Sequence, residues 1–252
     1  MSERPHVVLS CAISVDGCLD APGPQRLILS SGADLERVDG VRAASDAVMV
    51  GAGTLRRDDP RLLVRSAKRR AERVARGLPE HPARVTVTAS GDLDPRARFF
   101  QGPSPSAPGP APERLVYCPP PVAPGLRMRL NGRARVVCLE EPGGLGAVLA
   151  DLAARGFRRL LVEGGAGLAR ELLTSDLVDE LHLVVAPFFV GDASAPRFAA
   201  PGQYPRGPGR PMRLAETRRL GEVVLLRYLL GADHAPGGLD AAGTGPEAGR
   251  RE

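Results

Sequence analysis

Apolar residues in this chain come in short unbroken runs, each followed by a polar or glycine-rich break and then by a stretch with helical spacing. Val7 to Ile13, Ala47 to Val50, Val85 to Thr88, Leu115 to Cys118, Val136 to Leu139 and Arg159 to Val162 read as strands buried on both faces, the pattern of a parallel sheet. Asp34 to Ser45 reads as a helix with Leu35, Val38 and Val41 at helical spacing, behind Ser30-Ser31 as an N-cap. Ser66 to Arg76 reads as a basic surface helix, and Leu145 to Arg155 and Leu168 to Leu173 as further helices. Glu180 to Phe189 is an apolar strand, and Met212 to Leu220 and Val223 to Leu230 form a hairpin around Gly221-Glu222. Strands alternating with helices predict an α/β fold with a mostly parallel, doubly wound sheet and a C-terminal antiparallel hairpin. Gly102 to Glu113 reads as a flexible insertion and 232–252 as a disordered tail, leaving 1–231 as a single domain.

One junction carries chemistry. Leu160-Leu161-Val162-Glu163 runs into Gly164-Gly165-Ala166-Gly167-Leu168, a buried strand meeting a glycine turn that opens a helix. Bare N–H groups and the positive end of the helix dipole converge there, and glycine lets a phosphate approach the backbone. Glu163 sits at the C-terminal lip of its strand, where open α/β sheets bind ligands. The spacing is not the six-residue Gly-x-Gly-x-x-Gly fingerprint, so a plain tight turn is the competing reading. A second polar cluster, Gly51-Ala52-Gly53-Thr54 through Asp58-Asp59-Pro60 to Arg65, is either a compact site or a capped turn with a solvated arginine.

Composition narrows the choices. The chain has 252 residues, 43% hydrophobic and 25% charged, with no apolar run long enough to span a bilayer and no signal-peptide pattern. A cytoplasmic location is the expectation, with no membrane partner. The four cysteines lack Cys-x-x-Cys spacing and the four histidines are scattered, so no metal site is expected. Net charge is +5, and of 34 basic residues only Lys68 is lysine. The densest cluster, Arg65 to Arg73, has no interleaved aromatics, which argues against nucleic acid and is compatible with a phosphorylated small molecule.

Taken together, Ser14-x-Asp16-Gly17, Gly51-x-x-Thr54-x-x-x-Asp58-Asp59-Pro60-x-Leu62-x-x-Arg65, Glu163-Gly164-Gly165 and Leu177 to Leu181 running into Ala186-Pro187 and Gly191 resemble the reductase domain of the riboflavin-pathway deaminase/reductase. The resemblance spans Val7 to about Tyr228. It implies a three-layer dihydrofolate-reductase-like fold, NADPH as cofactor, a phosphorylated pyrimidine as substrate, and a homodimer. It implies hydride delivery to C1′ of the ribose of a phosphoribosylaminopyrimidine, either the uracil or the diaminopyrimidinone. By position, Ala12, Ile28, Ser30, Thr54, Asp58 and Ser90 (or Thr88), with Gly164, Gly165, Ala166, Gly167 and Leu168, match cofactor contacts. Arg42, Leu62, Arg65 and Glu163 match substrate contacts, with Asp59 and Glu163 as candidate catalytic acids. Two positions depart from the family: Ser10 stands where bifunctional members often carry lysine, and Ile28 where they carry tryptophan. No His-x-Glu or Pro-Cys-x-x-Cys of a zinc deaminase occurs, so the expectation is a stand-alone reductase. A same-fold reductase of another heterocycle (dihydrofolate, a dihydropteridine or a secondary-metabolism pyrimidine) and a non-catalytic nucleotide- or nucleic-acid-binding protein are the alternatives.

Overall fold

The computed structural model describes residues 3–23, 26–102, 111–139 and 144–231. The expected tail at 232–252, and 103–110 of the expected insertion, lie outside the described residues. Nine strands form one sheet in the order β5-β4-β3-β2-β6-β1-β7-β9-β8. They are β1 (His6–Ser14), β2 (Ala47–Gly51), β3 (Ala83–Val87), β4 (Arg114–Cys118), β5 (Arg135–Cys138), β6 (Arg159–Glu163), β7 (Glu180–Ala186), β8 (Arg213–Leu220) and β9 (Val223–Leu229). The seven strands from β5 to β7 are parallel, and β9 and β8 close the sheet antiparallel. This is the predicted mostly parallel α/β architecture with its C-terminal hairpin.

Helices cover both faces: α1 (Gly32–Ala43), α2 (Ala52–Asp58), α3 (Ala67–Ala75), α4 (Ala123–Leu130), α5 (Gly144–Ala154) and α6 (Ala166–Thr174). Alternate strand residues supply two cores. Val7, Leu9, Met49, Val85, Leu115, Leu160 and Val162 pack against Leu149, Leu152, Leu172 and their neighbours on α5 and α6. Val8, Val48, Val50, Val116 and Leu161 pack against Leu55, Phe99, Leu126 and Leu130 on the other face. Because β1 and β6 are central and dry on both sides, they read in the sequence as continuous apolar runs.

Three elements differ from expectation. β7 stops at Ala186, not Phe189, because Pro187 has no N–H to offer the ladder; Phe189 is exposed. Its apolar character is accounted for by burial between β1 and β9. α2 and α4 went unpredicted. α2 is short and half polar, and α4 sits behind prolines at 119–121, with Pro124 in its own first turn, where a missing N–H costs nothing. α1 forms where predicted, but its periodic Leu35 and Val38 line a cleft while Asp34 and Asp39 are the buried residues.

Candidate active site

The C-terminal ends of β1, β6, β2, β3 and β4 open into one cleft of about 1090 Å³. At its centre is the Glu163–Leu168 junction. Gly164 has φ +75° and Gly165 φ +96°, values that favour glycine, and Gly165 is the N-cap of α6 without a side-chain cap. The first intrahelical bond is Ala169 N–H to Gly165 O at 2.9 Å, so the first-turn N–H groups stay available where Ala166, Gly167 and Leu168 line the cleft. A Cβ built at Gly165 would lie 3.0 Å from Thr54 Oγ1, so Thr54 and the turn are in close apposition across the cleft floor. Beneath, burial pushes the Cys11 thiol up to about 12 while its sulfur bonds the Gly164 backbone; it is a packing thiol, not a nucleophile.

Glu163 does not stand free. Arg42 donates from Nε and Nη2 to its two carboxylate oxygens, each at 2.5 Å, and from Nη1 to Leu63 O at 3.2 Å. The two side chains are 13% and 16% exposed. Burial opposes the Arg42 charge, and the bonds to Glu163 more than offset it, so the guanidinium pKa is raised. Leu63 belongs to a loop bent at Leu62, whose φ is +53° and whose side chain is buried in the core. A buried leucine held left-handed anchors this strained loop and turns its backbone to the cleft. Arg65 follows, exposed on the cleft wall; its backbone N–H donates to Asp39, and its guanidinium has no partner among the described residues.

Asp58, at the end of α2, lines the same cleft. Its Oδ1 is buried without a partner among the described residues, and Oδ2 lies 3.3 Å from Arg26. Burial raises its pKa; Arg26 and Arg57 pull the other way, and Asp20 adds to the rise. Asp59 is elsewhere. It is the left-handed C-cap of α2, its Oδ1 accepts from Arg98 N–H at 2.6 Å and its Oδ2 lies 3.3 Å from Arg98 Nε, outside the cleft lining. The turn reading of Asp58-Asp59-Pro60 therefore describes Asp59, and its expected place in the site is corrected: it closes α2 in left-handed geometry and its carboxylate is taken by Arg98.

The remaining expected residues, Ala12, Ile28, Ser30 and Ser90, all line the cleft. Ile28 is 84% exposed, an apolar side chain held against the open cleft. Of the pair after β3, Thr88 is buried and accepts from Gly91 N–H, whereas Ser90 is exposed. Beside Ser10, Arg37 Nη2 donates to the serine hydroxyl at 3.2 Å, Nε to Asp34 at 2.7 Å, and Nη1 to His182 Nδ1 at 2.8 Å. Arginine only donates, so His182 Nδ1 is the acceptor and Nε2–H donates to Glu180 at 2.7 Å. A cation thus stands on the cleft wall next to Ser10. Arg37, Asp20, Arg26, Arg56 and Arg57 also line the cleft and carry no signature in the sequence.

Residues 5–226 match the family model described as the RibD C-terminal domain. The chain belongs to the RibD C-terminal domain family. Among relatives of this family, the 2,5-diamino-6-ribosylamino-4(3H)-pyrimidinone 5′-phosphate reductase of Archaeoglobus fulgidus is 35% identical over 195 residues, covering 77% of this chain and 85% of that protein. The protein of the same description from Methanothermobacter thermautotrophicus is 33% identical over 198 residues, covering 76% and 82%. The RibD structure from Acinetobacter baumannii superposes with a TM-score of 0.72 at 24% identity, covering 90% of this chain; the chain spans 58% of that protein's length. That likeness supports the fold.

Two features of this RibD C-terminal domain bear on the alternatives. Three arginines of the basic cluster are occupied in the fold: Arg69 pairs with Asp39 and Glu36, Arg70 with Glu80, and the buried Arg73 donates to three backbone carbonyls. No helix among the described residues is long and apolar enough to cross a membrane, and no group of three or more His, Cys, Asp or Glu among them could hold a metal ion.

Proposed function

We propose that this chain is an NADPH-dependent reductase acting on 2,5-diamino-6-ribosylamino-4(3H)-pyrimidinone 5′-phosphate in riboflavin synthesis. The observation that carries this reading is the meeting, in one cleft, of the Gly164-Gly165 turn with the Arg42–Glu163 pair and the unpaired Arg65. A phosphate-bearing cofactor and a phosphorylated, amino-substituted ring need those two kinds of contact side by side. Relatives matched over more than four-fifths of their length carry that substrate in their names.

The turn fits the cofactor's pyrophosphate, because the uncapped first-turn N–H groups of α6 line the cleft beside two glycines that bring bare backbone to it. Thr54, Asp58, Ser90 and residues 164–168 hold the cofactor, with Ala12, Ile28 and Ser30 beside its nicotinamide. When bound, the nicotinamide supplies the hydride for C1′ of the ribose. Arg65 grips the 5′-phosphate through charge-assisted bonds, and the Leu62 backbone borders the sugar. Glu163 accepts from the ring's amino groups, oriented by Arg42. With both oxygens already bonded to Arg42, Glu163 positions and does not deliver a proton. Asp59 faces Arg98. Asp58 is the carboxyl suited to supply the proton that the opening sugar ring takes up, since burial favours its neutral form and Oδ1 has no competing partner. A homodimer is part of the proposal, with the exposed edge strand β8 as the surface to examine by light scattering.

The test is NADPH oxidation with the diaminopyrimidinone phosphate, its deaminated uracil counterpart and dihydrofolate offered separately. Turnover of the diaminopyrimidinone ahead of the other two is expected. Turnover of dihydrofolate alone, or of none, overturns the reading.

A further inference from the structure

We infer that Arg56 is the residue that selects a cofactor bearing a phosphate on its adenosine ribose, so that NADPH is preferred over NADH. The inference rests on the reading of this cleft as a nicotinamide dinucleotide site and adds the group that discriminates between the two forms.

The strand order fixes where the adenosine half must lie. The phosphate-cradling turn follows β6, and the substrate pair and Ile28 lie toward β1. A dinucleotide centred on the turn with its nicotinamide toward β1 sends its adenosine the other way, over β2, β3 and β4. That half of the cleft is lined by Thr88, Ser90, Pro119, Leu139, Leu145 and Val148, apolar walls with two hydroxyls at the rim. Such a lining suits an adenine ring and a ribose; its charged side chain, Glu171 beside Gly144, is an acid, so it supplies no positive charge.

Arg56 supplies it. It lies two residues beyond Thr54 on α2, lines the cleft, and donates from Nη1 to the Asp92 backbone carbonyl at 2.9 Å. That bond holds the guanidinium at the Thr88–Asp92 loop, whose Ser90 hydroxyl accepts from Asp92 N–H at 3.3 Å. The other cations lining the cleft are committed or remote. Arg42 and Arg37 are held by Glu163 and Asp34, Arg26 lies 3.3 Å from Asp58, Arg57 is turned toward Asp20 in the loop after β1, and Arg65 stands beyond Leu62. Arg56 is therefore the one cation among the described lining residues on the adenosine side. The loop's own acid, Asp92, is 3.7 Å from Arg56 Nε and 73% exposed, a weak, solvent-screened partner. Dinucleotide sites for the unphosphorylated ribose set a carboxylate against its hydroxyls, and those for the phosphorylated one set an arginine there. A guanidinium 45% exposed, tethered through Nη1 and with only the screened Asp92 carboxylate near Nε, has the second arrangement.

The test is calorimetric titration of the purified protein with adenosine 2′,5′-bisphosphate and with 5′-AMP, alongside KM values for NADPH and NADH, in wild type, Arg56→Gln and Arg56→Lys. Expected are a bisphosphate preference in wild type, a loss of about tenfold or more in bisphosphate affinity in Arg56→Gln with 5′-AMP affinity unchanged, and partial recovery in Arg56→Lys. KM for NADPH rises in step and KM for NADH does not. A wild-type preference that survives Arg56→Gln, or equal weakening of both nucleotides, overturns the role of Arg56 and leaves the reductase reading standing. No bisphosphate preference in wild type overturns both the role of Arg56 and the choice of NADPH.

Discussion

Replacing Gly165 by alanine strains the turn and blocks the site by separate, measurable amounts. The residue sits at φ +96° and ψ 103°, outside the regions an L side chain adopts without cost. Holding alanine there costs about 1–3 kcal/mol. The new Cβ meets Thr54 Oγ1 at 3.0 Å, with Leu168 Cβ at 3.7 Å and the Gly51 nitrogen at 3.9 Å, so Thr54 must give way. For a domain of this size that range lowers Tm by about 2–12 °C. Gly167 is the internal control: it lies in the first turn of α6, its added Cβ meets nothing within 4 Å, and its φ is not positive. Gly167→Ala should hold or raise stability by about 0.4–1 kcal/mol through the unfolded chain. Thermal unfolding and NADPH titration on both variants check this. Gly165→Ala should lose both Tm and most cofactor binding, and Gly167→Ala should keep its Tm. Retention of wild-type NADPH affinity in a folded Gly165→Ala protein, at a temperature well below its Tm, would refute the assignment of the turn as the phosphate cradle.

Three further outcomes follow from the same geometry. Glu163→Gln and Arg42→Met should each cut turnover while sparing NADPH affinity, and the double variant should be no worse than either; a thermodynamic cycle with additive losses in kcat/KM would show that the pair does not act as a unit. Arg65→Ala should raise the substrate KM by about tenfold or more with the NADPH KM within about twofold, and equal loss of both would remove it from the phosphate grip. The folded Asp58 pKa lies above its unfolded value of about 3.9. Its contribution to stability is therefore full below that value and is lost as pH rises through the folded one. If Asp58 is the donor, kcat falls along the same limb, and Asp58→Asn should lose that limb; an unchanged pH profile in the variant would exclude it as donor.

Much of this molecule is legible in its sequence because the central strands are parallel and dry. β1, β2, β4 and β6 show as apolar runs, and the β8–β9 hairpin shows at Gly221-Glu222, where Gly221 takes φ +70°. The glycine turn after Glu163 is legible for the same reason: few residues but glycine fit successive positive φ values between a strand and a helix. Helix α1 shows the limit. Its apolar period is present, but of those residues Leu35 and Val38 line the cleft and only Val41 packs on the core, while the helix buries Asp34 and Asp39 against Arg37, Arg69 and backbone N–H groups. Periodicity reports an apolar stripe without saying whether a core or a ligand covers it. Asp58 and Asp59 are neighbours of one residue type in the sequence; only the left-handed turn at Asp59 separates the carboxyl that enters the cleft from the one that caps a helix. The Arg42–Glu163 pairing joins residues 121 positions apart and has no local signature.

The most direct test of the central claim is to follow the transferred hydrogen. With NADPH carrying deuterium at both C4 positions of the nicotinamide and the diaminopyrimidinone phosphate as substrate, the account predicts one deuterium in the ribityl product, located at C1′ by mass spectrometry and NMR. Product without deuterium at C1′, or NADPH oxidation that leaves the ribosyl ring closed, would contradict it.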